Sequence, residues 1–140
     1  NQMNNNEITI VDKIDDITIY RLENELIQVL INIINNSKDE LIKKSDQLLL
    51  IFITTEQKNN NLIINIKDNA GGIKENIINR IFEPYFTTKH KSQGTGIGLY
   101  MSEEIISKHM KGKITVENEK FTHEKIDYSG ANFSIEIPIK

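Results

Sequence analysis

Asp68-Asn-Ala-Gly-Gly-Ile73, Ile81-Phe-Glu-Pro-Tyr-Phe-Thr-Thr-Lys89 and Gly94-Thr-Gly-Ile-Gly-Leu99 follow one another in a single stretch of the chain, and the reading of that stretch decides the rest. It joins an acid, two glycine clusters and a basic loop. Gly94, Gly96 and Gly98 leave backbone uncovered where an apolar helical pattern begins, so free N–H groups there can face an anion. The stretch is not a P-loop, because the Lys-Ser/Thr pair that must follow the second glycine is missing. Nor is it a dinucleotide fingerprint, since no βαβ unit surrounds the glycines. Taken alone, the same glycines also fit a plain glycine-rich turn.

Upstream of Asp68 the chain reads as helix and strands. Leu26, Val29, Leu30, Ile33, Ile34, Ser37 and Leu41 recur at helical spacing, with Asn24 as the expected N-cap. Asn32 and Asn36 lie four apart in that apolar pattern, so their amides either bond inside the core or point into a wet cavity. Glu7–Lys13 and Ile17–Tyr20 alternate as a small hairpin after a polar lead-in. Leu48–Thr54 and Leu62–Lys67 read as strands joined across Lys58–Asn61, and Asp68 stands at a strand end.

Downstream, Lys74–Ile81 is a short helix or helical turn stopped by Glu83-Pro84. Tyr85–Thr95 has no periodicity, as befits a functional or mobile loop. Ile97–Met110 is helical, with Ile97, Met101, Ile105 and Ile106 inward, Met101 and Met110 as core filler, and Gly112 as C-terminal cap. Lys113–Glu117 and Asn132–Ile139 form two closing strands, and Asn118–Gly130 is a polar connection. The composite is an α/β chain, a mixed sheet covered on one side by three helices.

The bulk properties fit one domain spanning residues 1–140. A net charge of −3 gives no basic field for nucleic acid and no polybasic membrane patch. Without cysteine, thiol catalysis and thiolate metal sites are excluded. No apolar run reaches the ~20 residues of a membrane span, so the piece reads as soluble. The first residue is Asn1, which suggests a piece of a longer protein.

With these segments in order, the sequence resembles the catalytic ATP-binding domain of bacterial sensor histidine kinases, in the superfamily shared with gyrase, Hsp90 and MutL. Gln28–Asp39 looks like the N box, Asp68–Ile73 the first glycine box, Phe82–Phe86 the F box, Gly94–Leu99 the second glycine box, and Gly130–Phe133 the last glycine motif. The resemblance implies a two-layer α/β sandwich of the Bergerat type. It also implies ATP and Mg2+ as ligands. Asn36 would coordinate the magnesium and Asn32 would contact its water or a phosphate. Asp68 would accept from the adenine amine, Gly72 would let the base approach, and Ile73 and Ile81 would line the slot. Lys89 would meet the nucleotide tail from the lid, and Gly94, Thr95, Gly96, Ile97, Gly98 and Leu99 would surround the phosphates. Asp39 and Glu40 depart from relatives that carry Lys and an aromatic residue after the N box.

The activity so implied is transfer of the γ-phosphoryl group to a histidine on a separate dimerisation domain, in two-component signal transduction. A response regulator would be an indirect partner and the placement cytoplasmic. No acceptor histidine is expected within the chain, because Lys91, Met110 and Glu124 follow His90, His109 and His123 where the family's motif has an acid on a helix. His90 reads as a surface residue and His109 as a satisfied or solvent-facing helix-end residue. Asn32 stands where hydrolases of the superfamily keep a general-base glutamate, so the isolated domain is expected to turn over ATP barely at all. A regulatory nucleotide-binding module and an anti-sigma-type serine kinase are the alternatives.

Overall fold

Period-two alternation sends Leu62, Ile64, Ile66 and Asp68 to one face of strand β3 (Asn61–Asp68), and that face is the buried one. The computed structural model describes residues 8–13, 23–44, 47–86 and 97–139. β2 (Leu49–Lys58) pairs antiparallel with β3 through a two-residue turn in which Asn59 and Asn60 both take positive φ, 54° and 65°. This is the primed-turn geometry that suits the twist of a hairpin, and asparagine tolerates it well. On the other side, β5 (Ile126–Pro138) pairs with β3 and places Ala131, Phe133, Ile135 and Ile137 on the same buried face.

The remaining strands are β1 (Ile8–Lys13) and β4 (Lys113–His123), which complete a sheet of order β1-β2-β3-β5-β4. β1 runs parallel to β2 and all other pairs are antiparallel, so the sheet is mixed as expected. The partner found for β1 is β2; the second strand of the expected N-terminal hairpin, 17–20, lies outside the described residues.

The polar connection expected between the last two strands is instead strand. β4 and β5 continue to a tight turn at Glu124 and Lys125, both at positive φ (48° and 70°). Turns of this type are signalled by Asn and Gly, and here neither is present, so the hairpin had no turn signature. Its tip is fixed by side chains instead: Phe52 meets Phe121 edge-on at 5.3 Å, and Lys67 Nζ lies 4.0 Å from the Phe121 ring centre. Left-handed backbone costs an ordinary L-residue roughly 1–2 kcal/mol. Glu124→Asn with Lys125→Gly is therefore expected to raise unfolding free energy by about 1 kcal/mol, read as a higher urea midpoint with unchanged slope.

Among the described residues, the first and third helices pack their buried residues on this side of the sheet. α1 (Glu23–Leu41) buries Val29, Ile33, Ser37 and Leu41 on the expected spacing. Asn24 lies inside its first turn, not ahead of it, so it is not the N-cap. α2 (Glu75–Ile78) is a single turn. α3 (Gly98–Glu104) widens into a π turn over Ile105–His109, where Met110 N–H donates to the Ile105 carbonyl five residues back. Its buried stripe runs through Ser102, Ile105, Ile106 and Met110. Met101 stands about 100° off that stripe and is 44% exposed, which corrects the expectation that it fills the core. Gly112 N–H closes the helix on the Ile106 carbonyl at 2.8 Å, but Lys111 takes the left-handed position. Gly112 serves a different need: a Cβ there would run into the Glu136 carbonyl.

Candidate functional site

Asp68 is the last of the inward-facing residues of β3, so the alternation that builds the core also pushes a carboxylate into it. The residue is only 3% exposed. Its Oδ1 accepts from the Ala70 N–H at 3.0 Å and from the Ala131 N–H at 3.3 Å. Burial pushes the acid above its ordinary range, and Glu40 adds to that, while the Ala70 and Ala131 N–H groups and the nearby Ser37 hydroxyl oppose it. Gly130 permits the contact with Ala131, since a Cβ there would overlap the Asp68 carbonyl. No other backbone N–H among the described residues is bonded to the Asp68 carboxylate, and the Ser37 hydroxyl lies beside it.

Ser37 of α1 lies beside this acid, and a second buried polar side chain, Ser102, belongs to α3. Ser37 is fully buried, and its hydroxyl has no hydrogen-bond partner among the described residues. Sequence reasoning treated it as one more position of the apolar stripe. Ser102, also fully buried, donates to the Gly98 carbonyl at 2.9 Å.

The two asparagines of α1 take different fates, one for each alternative left open by the sequence. Asn32 donates to the Gly98 carbonyl at 3.3 Å and to Ser102 Oγ at 3.2 Å, and accepts from Gln28 at 3.0 Å. It ties α1 to the first turn of α3. Asn36 is half-buried one turn later, and its amide has no partner among the described residues. That amide is available to a ligand.

Beyond Asp68 the chain turns through Gly71 and Gly72, at φ of 97° and 91°. Asn69, which the sequence did not single out, anchors the start of this turn. Its amide accepts from Leu50 N–H and donates to the Leu48 carbonyl, both at 2.9 Å. Ile73, Ile81, Phe82 and Leu99 are half-buried against the core, with Phe82 edge-on to Phe133 at 6.3 Å. Ile97 is half-buried and begins α3; Gly98 is exposed beside Asn32. Lys89, Gly94, Thr95 and Gly96 lie outside the described residues, as does His90. His109 is bonded to Glu25 at 2.6 Å, and His123 packs edge-on to Phe52.

A buried acceptor near apolar side chains suits a flat ring bearing an amine, and a half-buried amide suits oxygen-rich or hydrated charge. Among the described residues no three His, Asp or Glu side chains converge to hold a metal. A hard cation would therefore draw on amide, phosphate and water oxygens, which a half-buried Asn36 can supply in part.

Fold and site together define a two-layer α/β sandwich with a buried acid at the end of a central strand. The chain belongs to the histidine kinase-, DNA gyrase B- and HSP90-like ATPases, whose family model matches residues 21–140. It is 36% identical to sporulation kinase E of Bacillus subtilis over 131 residues, covering 93% of the chain and 16% of that kinase. Its fold matches the nucleotide-free catalytic domain of histidine kinase ThkA with a TM-score of 0.73 at 30% identity, covering 99% of the chain and 81% of that domain. It also matches full-length ShkA in complex with AMPPNP, with a TM-score of 0.72 at 21% identity, over 95% of the chain and 26% of that protein. That last likeness concerns the fold alone. The chain thus spans a small part of the curated kinase it matches, and no helix among the described residues is long and apolar enough to cross a membrane.

Proposed function

We propose that this chain is the nucleotide-binding half of a protein histidine kinase, which binds Mg-ATP and presents the γ-phosphoryl group to a histidine on a separate dimerisation domain. The observation that carries the reading is Asp68: a buried carboxylate with one oxygen held by two backbone N–H groups, standing just before the Gly71–Gly72 turn, with Ile73 and Ile81 half-buried against the core. Asp68 accepts the adenine amine, and the Ser37 hydroxyl adds a polar group beside it. Asn36 holds the metal, while Gly98 and Leu99 open the helix that faces the phosphates. A magnesium ion at Asn36 would supply neutralisation of phosphate charge. Lys89, Gly94, Thr95 and Gly96 complete the phosphate side in this reading.

Catalysis by such a site is positioning and charge balance, since none of these residues is a base able to activate water. Asn32 in particular is spent on α3. The acceptor histidine comes from elsewhere in the parent protein, and a response regulator receives the phosphoryl group in turn. Mixing the purified chain with Mg-ATP should therefore give calorimetrically detectable binding with hydrolysis barely above the buffer rate. Rapid steady turnover would overturn the half-site reading, because it requires an activated water that this residue set does not provide.

A further inference from the structure

The turn that follows Asp68 is held from outside by a single side chain of the edge strand. Asn118 accepts from the Ile73 N–H at 2.8 Å and donates to the Ile73 carbonyl at 2.7 Å, so one amide takes both hydrogen-bonding groups of one residue. Gly72 fits against it: a Cβ at Gly72 would lie 2.9 Å from Asn118 Oδ1, and the residue's φ of 91° already favours glycine. Asn118 stands opposite Ala131 in the β4–β5 register, and Ala131 is the residue whose N–H binds Asp68. One step of the hairpin thus touches both the acid and the turn beyond it.

Packing alone does not shape this turn on its other side, although Ala70 and Ile73 meet the core. Asn69 and Gly71 border a crevice of about 560 Å³ that also meets Lys44, Gln47, Phe121 and Tyr128. What fixes the turn is hydrogen bonding, from Asn69 at its start, from Gly71 N–H to the Ser129 carbonyl at 2.9 Å, and from Asn118 at its end. Asn69 is buried and bonded into β2, so it belongs to the fold. Asn118 is exposed, and among the described residues its side-chain hydrogen bonds both go to Ile73.

We infer that Asn118 is a positioning residue of the nucleotide site, holding the Gly72–Ile73 turn in the shape that receives the base before any ligand arrives. The inference rests on the reading of Asp68 as the adenine acceptor. Physically, a turn that is already ordered costs little to order on binding, and a turn only partly in the competent shape lowers affinity by that fraction. The contribution falls on the base and not on the phosphates, because Ile73 borders the slot beside Asp68.

The test compares AMP, GMP and ATP binding to the wild-type chain, Asn118→Ala and Asn118→Asp by calorimetry, alongside urea unfolding and exchange of the Ile73 amide. Asn118→Ala should weaken ATP and AMP by the same factor, about five- to twentyfold, speed exchange at Ile73 in the ligand-free chain, and leave the urea midpoint nearly unchanged. Asn118→Asp keeps an acceptor for the Ile73 N–H and loses the donor to its carbonyl, so it should fall between the two. Unchanged AMP affinity in the alanine variant overturns the proposal, and so does a loss confined to ATP, which would place the effect at the phosphates. If the alanine variant fails to fold, the aspartate variant decides by the same comparison. A wild-type chain that binds AMP and GMP alike overturns the adenine reading itself, and the role of Asn118 in it.

Discussion

Asp68→Asn is expected to weaken ATP binding about ten- to a hundredfold while making the empty domain more stable. The two effects come from one geometry. Oδ1 is fixed by the Ala70 and Ala131 N–H groups, so an asparagine places its oxygen there and its NH2 on the side left for the base. A donor would then face the adenine amine, itself a donor. GTP offers a carbonyl at that position, which a carboxylate repels and to which an amide N–H donates, so the preference for ATP should narrow or reverse. Calorimetry with ATP and GTP reads both parts. A variant that binds ATP as tightly as the parent would show that the adenine assignment is wrong.

The gain in stability follows from proton linkage. Burial raises the Asp68 acid above 3.8, so the folded chain holds that proton more tightly than the unfolded chain does. Stability contributed by this residue is therefore lost as pH rises from the ordinary carboxyl value through the raised one. Asparagine has no charge to desolvate, so the variant should unfold at higher urea at pH 7 and lack this decline across the acid window. Equal urea midpoints for parent and variant at pH 7 would mean that the hydrogen bonds fully offset burial.

Asn36→Ala should cut affinity for ATP about tenfold or more when magnesium is present and leave the metal-free affinity nearly unchanged. The side chain has no partner among the described residues, so its removal breaks no hydrogen bond among them. Its loss is felt only through what it binds. Titration of ATP with magnesium and with EDTA separates the cases: an equal loss in both would move Asn36 from the metal to the nucleotide itself. Adenine preference should survive, in contrast to Asp68→Asn, because the metal meets phosphates and not the base.

The sequence alone determined the layers and the chemistry at their meeting point. The spacing of Val29, Ile33, Ser37 and Leu41 marked α1, and alternation marked β3, because burial on one face imposes a period that polar residues cannot imitate. Asp68-Asn-Ala-Gly-Gly was legible because an acid at a strand end followed by positive-φ glycines is a local arrangement. Tertiary structure decided what depends on partners distant in sequence. It alone separated Asn32, bonded to a helix 66 residues away, from Asn36, which has no hydrogen bond among the described residues. It extended β4 and β5 through a turn of Glu124 and Lys125, where packing of Phe121 on Phe52 stands in for the missing turn residues. It also gave Asn118 its place, 45 residues from Ile73, since an amide on an edge strand has no pattern of its own until the fold supplies the backbone it binds.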